Sequence, residues 1–195
     1  MRLRMHNLLD QYLLFRLRSK QDPDAFTRLY DRYVEAIYRF AILKLPTEED
    51  AQDVTSETFL KVWAHIQKGG EITHVRAFFY QVARNLIADK YRQTESHVSY
   101  GLVTNGAEDT STLIEPKEGD RGRAKQVLEA RADFDLMLEQ LDRLKPDYRD
   151  VLTLRCIDGL PFGVIAQILE KTPGNVRLIF HRALKALKDL EKTPS

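Results

Sequence analysis

The sequence is short of cysteine, of strand patterning and of any long apolar run, and each shortage removes a class of protein. A single cysteine, Cys156, stands among 195 residues, so no internal disulfide can form. Its neighbours Val151, Leu152, Leu154 and Ile157 predict a buried structural thiol rather than a nucleophile. No apolar run approaches the ~18 residues of a membrane span. The opening MRLRMHNLLDQYLLFRLRSK is basic and apolar, but Asp10, Gln11, Arg16 and Arg18 interrupt it at helical spacing and no small-residue cleavage site follows. An amphipathic helix packed on the body is expected there, not an export signal, and the chain reads as cytoplasmic. Sustained period-two alternation is absent, and Asn105-Gly106 lies in polar sequence, so it reads as loop rather than hairpin. The five histidines (His6, His65, His74, His97 and His181) show neither HExxH nor Cys/His ligand spacing, and no phosphate-binding glycine loop appears. No catalytic residue, metal or cofactor is therefore expected. With 30 Lys and Arg against 29 Asp and Glu, the net charge of +1 says little; where the charges lie says more.

What remains is helical periodicity. Asp22-Pro23 opens a helix running to about Leu45, with Phe26, Leu29, Tyr30, Tyr33, Ile37, Phe40 and Ala41 on one face. Thr47 and Asp50 approximate a capping box for the next, which runs to about Gln67 and stops before Gly69-Gly70. A fourth spans roughly Thr73 to Arg92. From Thr94 to about Arg123 glycines, hydroxyl residues and an excess of acids replace any apolar period, the composition of a flexible tether. Helical pattern resumes near Ala124, runs to Leu144, and restarts at Pro146 towards Ile157. The expected fold is all-α: two small helical domains, residues 1–93 and 124–195, joined by an acidic flexible linker over 94–123.

The C-terminal stretch GLPFGVIAQILEKTPGNVRLIFHRALKALKDL parses as a short helix (Phe162 to Leu169), a tight connection and a longer helix. Thr172-Pro173 supplies a hydroxyl cap followed by proline at the first helical position. Val176, Ile179, Phe180, Ala183 and Leu187 mark the buried face of the longer helix; Arg177, His181, Arg182, Lys185 and Lys188 mark the other. No acidic residue follows Lys171 until Asp189. A short helix, a turn and a basic second helix match a DNA-binding helix-turn-helix, although a Lys/Arg face on a helix pair is also what simple solvation produces.

Two helices upstream carry further patterns. Asp50, Asp53 and Glu57 form an acidic stripe beside Val54, Thr58, Val62 and Trp63, which suits a protein interface or a plain solvated face. In VRAFFYQVARNLIADKYR the residues Val75, Phe78, Phe79, Val82, Leu86 and Ile87 look buried, while Gln81, Arg84, Asn85, Ala88 and Arg92 share another face near Lys90 and Tyr91. Cations mixed with an amide and aromatics can hold a strand backbone and stack unpaired bases.

The blocks DAFTRLYDRY, EEDAQDVTSETFLKVWAHI, VRAFFYQVARNLIADKYR and the C-terminal pair, in that order from about Asp24 to Leu190, resemble the sigma-70 family sigma factors of the extracytoplasmic-function (ECF) group. The resemblance implies a non-catalytic specificity subunit for bacterial core RNA polymerase. Its first domain would bind the β′ clamp helices and read the promoter −10 element; its second would bind the β flap and read the −35 element. By position it implies polymerase contacts by Asp50, Asp53, Val54, Glu57, Phe59 and Lys61, and −10 contacts by Arg76, Arg84, Asn85, Lys90 and Arg92. The loop from Lys68 to His74 resembles the one that captures a flipped base. Contacts to −35 DNA are implied for Asn175, Arg177, Leu178, His181 and Arg182, with Lys185 and Lys188 on phosphate. The partners implied are core polymerase and promoter DNA, with an anti-sigma factor as a further partner the family allows. Three positions depart from the family pattern: Phe78 for tryptophan, Val164 for glutamate, and Glu170 at a turn position that often holds glycine. The rival reading is a one-component helix-turn-helix regulator that binds DNA as a dimer without polymerase. It leaves the acidic tether and the acid-striped helix unexplained.

Overall fold

The computed structural model describes residues 2–20, 22–99 and 136–191. Every element among them is helical: α1 (Arg2–Lys20), α2 (Pro23–Ile42), α3 (Glu48–Gln67), α4 (Val75–Ser99), α5 (described over 136–142), α6 (Pro146–Leu152) continuing into a π-helical turn (Thr153–Ile157), α7 (Phe162–Ile168) and α8 (Pro173–Glu191). The tether from residue 100 onward and the start of the helix after it lie outside the described residues.

Local chemistry sets the helix ends. The Asp22 carboxylate accepts from the Asp24 N–H at 3.0 Å, with Pro23 at the first helical position of α2. Thr47 caps α3 by accepting from the Asp50 N–H at 3.1 Å. Two helices end in the same way: the N–H of Gly70 returns to the His65 carbonyl and that of Gly69 to Ile66, and likewise Lys171 to Ala166 and Glu170 to Gln167. This six-to-one plus five-to-two pattern requires a left-handed residue at its centre. Gly69 fills that position after α3 at φ +78°, and Glu170 fills it after α7 at φ +54°.

The core begins with rings. Tyr33 of α2 stacks on Phe79 of α4 at 4.9 Å, Phe59 of α3 leans on Phe79 at 5.0 Å, and Phe26 meets Trp63 edge-on at 4.7 Å. Each such pair adds about 0.5–1.5 kcal/mol beyond its area. Thr55 and Thr58, buried on α3, satisfy their hydroxyls on the carbonyls of Ala51 and Val54. The apolar cluster does not stop at α4. It continues through Val151, Leu154, Leu160, Ile165 and Ile168, so the first four helices and the α6–α7 region share one core. Leu141, Leu144, Leu152 and Ala183 form a smaller cluster under α8.

Three expectations change. Helix α4 extends to Ser99, through residues assigned to the tether, because QTESHVS contains no glycine or proline to stop it. Cys156 is exposed rather than buried: the π turn shifts the helical phase, so that Thr153 and Leu154 face inward and Cys156 outward. Helix α1 packs on the body as expected, through Leu13, Leu14 and Leu17, but it is apolar on its outer side too, where Leu8 and Phe15 are exposed.

Glu170→Gly removes left-handed strain of about 1 kcal/mol, less the extra freedom of an unfolded glycine, so the thermal midpoint should rise by about 1–3 °C. Calorimetry showing a fall would contradict the strain at this turn.

Candidate nucleic-acid and polymerase interfaces

The C-terminal pair is built for presentation. Val176, Ile179 and Ala183 anchor α8 against α7 and α6, and Thr172 accepts from the Asn175 N–H at 3.2 Å, fixing the first turn. Asn175, Arg177, Leu178, His181, Arg182 and Lys185 are all left exposed. The Arg177 guanidinium lies 5.9 Å from the Phe162 ring and that of Arg155 lies 4.7 Å from it, so α7 steadies the basic side chain nearest the turn. A helix with its first two turns open and cations along one side fits a major groove.

Helices α3 and α4 bring two expected sets together. Lys90, assigned to DNA, donates to Asp50 at 2.7 Å and reaches Asp53 at 3.5 Å, both assigned to polymerase. Glu57 pairs with Lys61 at 3.1 Å on the outer face of α3. A groove of about 410 Å³ between the helices is lined by Glu57, Lys61, Leu86, Asp89, Lys90, Arg92 and Gln93. Val54 and Phe59 are not on this surface: at 0% and 4% exposure they belong to the core, which corrects their assignment as polymerase contacts. Helical phase decides it, since both lie on the side of α3 turned to α2 and α4. Leu60, 66% exposed and missed by sequence reasoning, is the apolar residue α3 does present. Nothing in an apolar-rich helix marks which leucine faces out until the packing is known.

The loop between α3 and α4 frames a second concavity of about 350 Å³, lined by Glu71, Ile72, Thr73, His74, Ala77, Phe78, Gln81 and Gln167. The His65 ring packs on Phe78 at 4.7 Å. A Cβ on Gly70 would fall 2.2 Å from His65 Nε2, so glycine there is what lets the imidazole lie against Phe78. Two adjoining rings at the edge of an open cavity have the chemistry on which an unpaired base could stack.

Of the residues assigned to the −10 strand, Asn85 and Arg92 are exposed, the Arg92 guanidinium pairing with Asp89 on its own helix, whereas others are engaged by the C-terminal helices. Arg84 donates to Asp150 at 2.7 Å and to Asp147 at 3.4 Å. Asp150 also takes the ammonium of Lys44, and both partners of that pair are 5% exposed. Gln81 donates to the Gln167 carbonyl at 2.9 Å. On the same interface Asp158 accepts from Arg39 at 3.1 Å and from the Tyr80 hydroxyl at 2.9 Å. Half-buried Arg76 lies close enough to Tyr33, Tyr80 and Asp158 for its charge to favour their ionised forms. Burial pushes the Asp158 carboxyl up, opposed by the hydrogen bonds from Tyr80 and Arg39. Burial, with the Arg84 and Arg149 guanidinium groups adding to it, pushes the Lys44 ammonium well down, opposed by the Asp158 carboxylate.

The sigma-70 region 2 model matches residues 29–97 and the sigma-70 region 4 model matches residues 134–187. The ECF RNA polymerase sigma factor BldN of Streptomyces coelicolor is 31% identical over 173 residues, covering 87% of this chain and 61% of that one. The ECF RNA polymerase sigma factor SigW of Bacillus subtilis is 25% identical over 170 residues, covering 87% and 90%. The chain belongs to the ECF group of the sigma-70 family. Among solved structures, CnrH in complex with the cytosolic domain of CnrY shares the fold at a TM-score of 0.68 and 19% identity, covering 97% of this chain and 98% of that one. RpoE in complex with the anti-sigma factor NepR from Bartonella quintana shares it at 0.61 and 20%, covering 87% and 98%.

In this sigma-70 member the region 2 match takes in α3, α4 and the loop between them, and the region 4 match takes in the helix-turn-helix. The charged residues that join the two matched regions were not all singled out from sequence. Part of their signal was present: Asp150 directly precedes Val151-Leu152, and Lys44 is a lone charge between Leu43 and Leu45.

The Lys90 hydrogen bond, assisted by that of Thr47, lowers the Asp50 carboxyl, and Asp50 in turn raises Lys90. Asp50 therefore contributes stability above its unfolded pKa that is lost as pH falls through the folded one; Lys90 contributes below its unfolded pKa, and this is lost as pH rises through its folded value. In Lys90→Gln, ¹³C titration of the Asp50 carboxyl should move up towards the ordinary carboxylate range. An unmoved titration would show that the pair is not formed in solution.

Proposed function

We propose that this protein is the promoter-specificity subunit of bacterial RNA polymerase holoenzyme, itself without catalytic activity. The observation that carries the reading is the pairing, in one chain and in family order, of an acid-striped α3 beside a basic, aromatic α4 with a separate helix-turn-helix whose reading face stands open. In this proposal residues 1–93 hold polymerase and take the −10 strand, 94–123 serve as the linker, and 124–195 hold polymerase and the −35 duplex. Asp50, Asp53, Glu57, Lys61 and Leu60 would face polymerase; Asn85, Lys90, Arg92 and, once released, Arg84 would take the opened strand. Arg177 and Arg182 would reach guanine edges at about 1–3 kcal/mol each, with Lys185 and Lys188 on phosphate, which positions the duplex without reading it. The fold neighbours' complexes with CnrY and NepR support an anti-sigma factor as a further partner. The working location would be the cytoplasm, where polymerase is; no described helix is long and apolar enough to cross a membrane.

The closed arrangement bears on how such a subunit works. With Arg84 and Gln81 held by Asp147, Asp150 and Gln167, the α4 face is partly occupied by the chain's own C-terminal helices. Binding a DNA strand there requires the two parts to separate. Polymerase, offering each part its own docking surface, would supply the separation by mass action.

The direct test is transcription in vitro from genomic fragments with purified core polymerase, which should start at discrete promoters only when this chain is added. Strong sequence-specific DNA binding by the free chain, as a dimer on symmetric half-sites, would favour the one-component regulator instead. Within the holoenzyme, Arg182→Ala should change −35 preference by about tenfold at one base pair, whereas Lys188→Ala should weaken all promoters alike. Equal, sequence-independent losses would refute the division between reading and positioning residues.

A further inference from the structure

The loop that frames the Phe78 cavity is held from outside. After Gly69 the chain must cross from the end of α3 to the start of α4, and four successive carbonyls of that crossing, those of residues 70 to 73, point at neighbouring side chains rather than at one another. Arg18 of α1 donates through its guanidinium to the Gly70 carbonyl. The His65 imidazole lies 3.4 Å from the Glu71 carbonyl. Gln11, also on α1, donates to the Thr73 carbonyl at 2.7 Å and to the Ile72 carbonyl at 3.4 Å. One primary amide with two N–H groups thus spans two adjacent acceptors. Ile72, 5% exposed, pins the middle of the loop into the core. Leu17 and Arg18 line a small cavity of about 210 Å³ with Ile66, Gln67 and Gly69, behind the loop's first turn.

We infer that Gln11 and Arg18 are positioning residues for −10 recognition: by fixing the carbonyls of residues 70, 72 and 73 they set where the side chains of Glu71, Thr73 and His74 stand around the cavity that receives the unstacked base. This rests on reading that cavity as the base-receiving site. Neither residue lines the cavity, so neither touches the base. Their action is on the loop alone. A loop of this length without internal hydrogen bonds samples several backbone states, and a pocket that must discriminate one base from another depends on polar groups fixed to a fraction of an ångström. Helix α1 is thereby part of the specificity machinery rather than only a cover for the core.

The test uses the full chain assembled with core polymerase on templates that carry single-base substitutions across the −10 and −35 elements. Open-complex formation on each is expressed relative to the parent promoter. Gln11→Ala and Arg18→Ala should each reduce discrimination at the flipped −10 base by about three- to tenfold, the range that loss of one hydrogen bond gives. Discrimination at −35 positions and affinity for core polymerase should stay unchanged, and Arg18→Lys, which keeps a donor, should restore most of the loss. Arg18 is exposed, so its variants are expected to fold, which circular dichroism checks. Unchanged −10 discrimination in both alanine variants, or an equal loss at every position including −35, would overturn the proposal. Phe78→Ala separates this from the reading beneath it. If Phe78→Ala leaves −10 discrimination intact, the base-receiving assignment falls; if it abolishes discrimination while Gln11→Ala and Arg18→Ala do not, only the positioning role falls.

Discussion

Asp150 is a carboxylate buried at the start of an apolar run, and it meets two cations from a distant part of the chain, the ammonium of Lys44 and the guanidinium of Arg84. Taking these charges out of water costs several kcal/mol per ion, and their attraction returns that only because the geometry is close and hydrogen-bonded. The arrangement is thus stable as a set and unstable in parts. Deleting Asp150 strands the buried Lys44 ammonium, at about 3–5 kcal/mol, unless the surfaces come apart and water returns. Around these three groups lie Asp158 with Arg39 and Tyr80, the Gln81 hydrogen bond to Gln167, and a shared apolar cluster through Val151, Leu154 and Ile165.

That set has a functional cost built into it. Arg84 stands on the face of α4 that the proposed function assigns to the −10 strand, and the groups that hold it are carboxylates, which oppose a phosphate for the same cation. Occupation by Asp147 and Asp150 and occupation by DNA exclude one another. The recognition face of α8 carries no such restriction; its side chains stand open in the same arrangement. Under the proposed function, one half of the molecule is therefore ready to read and the other is covered. Polymerase, docking each half at its own site in that proposal, would change the balance between closed and open forms.

Much of this was legible in the residues. Caps and breakers marked α2, α3, α7 and α8 to within a few positions, because Asp22-Pro23, Thr47, Gly69-Gly70 and Thr172-Pro173 act locally and need no tertiary context. The exposed reading face of α8 was legible for the same reason, since its buried side is strongly apolar. What escaped depends on contacts between residues far apart in sequence. The helical phase of α3 sent Val54 and Phe59 inward and Leu60 outward, a choice that only packing against α2 and α4 makes. The π turn that exposes Cys156 left no mark in composition. The grip of Gln11 and Arg18 on a loop some sixty residues away, and of Asp150 on Lys44, joins side chains whose proximity no spacing rule encodes. Glu170 was the intermediate case: the sequence showed a non-glycine at a glycine-favouring turn, and the structure shows it in the left-handed conformation.

On this account, the carboxylates of the C-terminal half, buried Asp150 foremost, hold the free chain closed. Exposed Cys156 and an introduced Gln67→Cys offer one spin-label site in each half, and pulsed electron–electron resonance reads the distance between them. The free chain should give a single narrow distance, and the Asp147→Asn/Asp150→Asn variant a broad distribution shifted to longer values. A broad distribution in the parent chain, or the same narrow distance in both, would contradict the account.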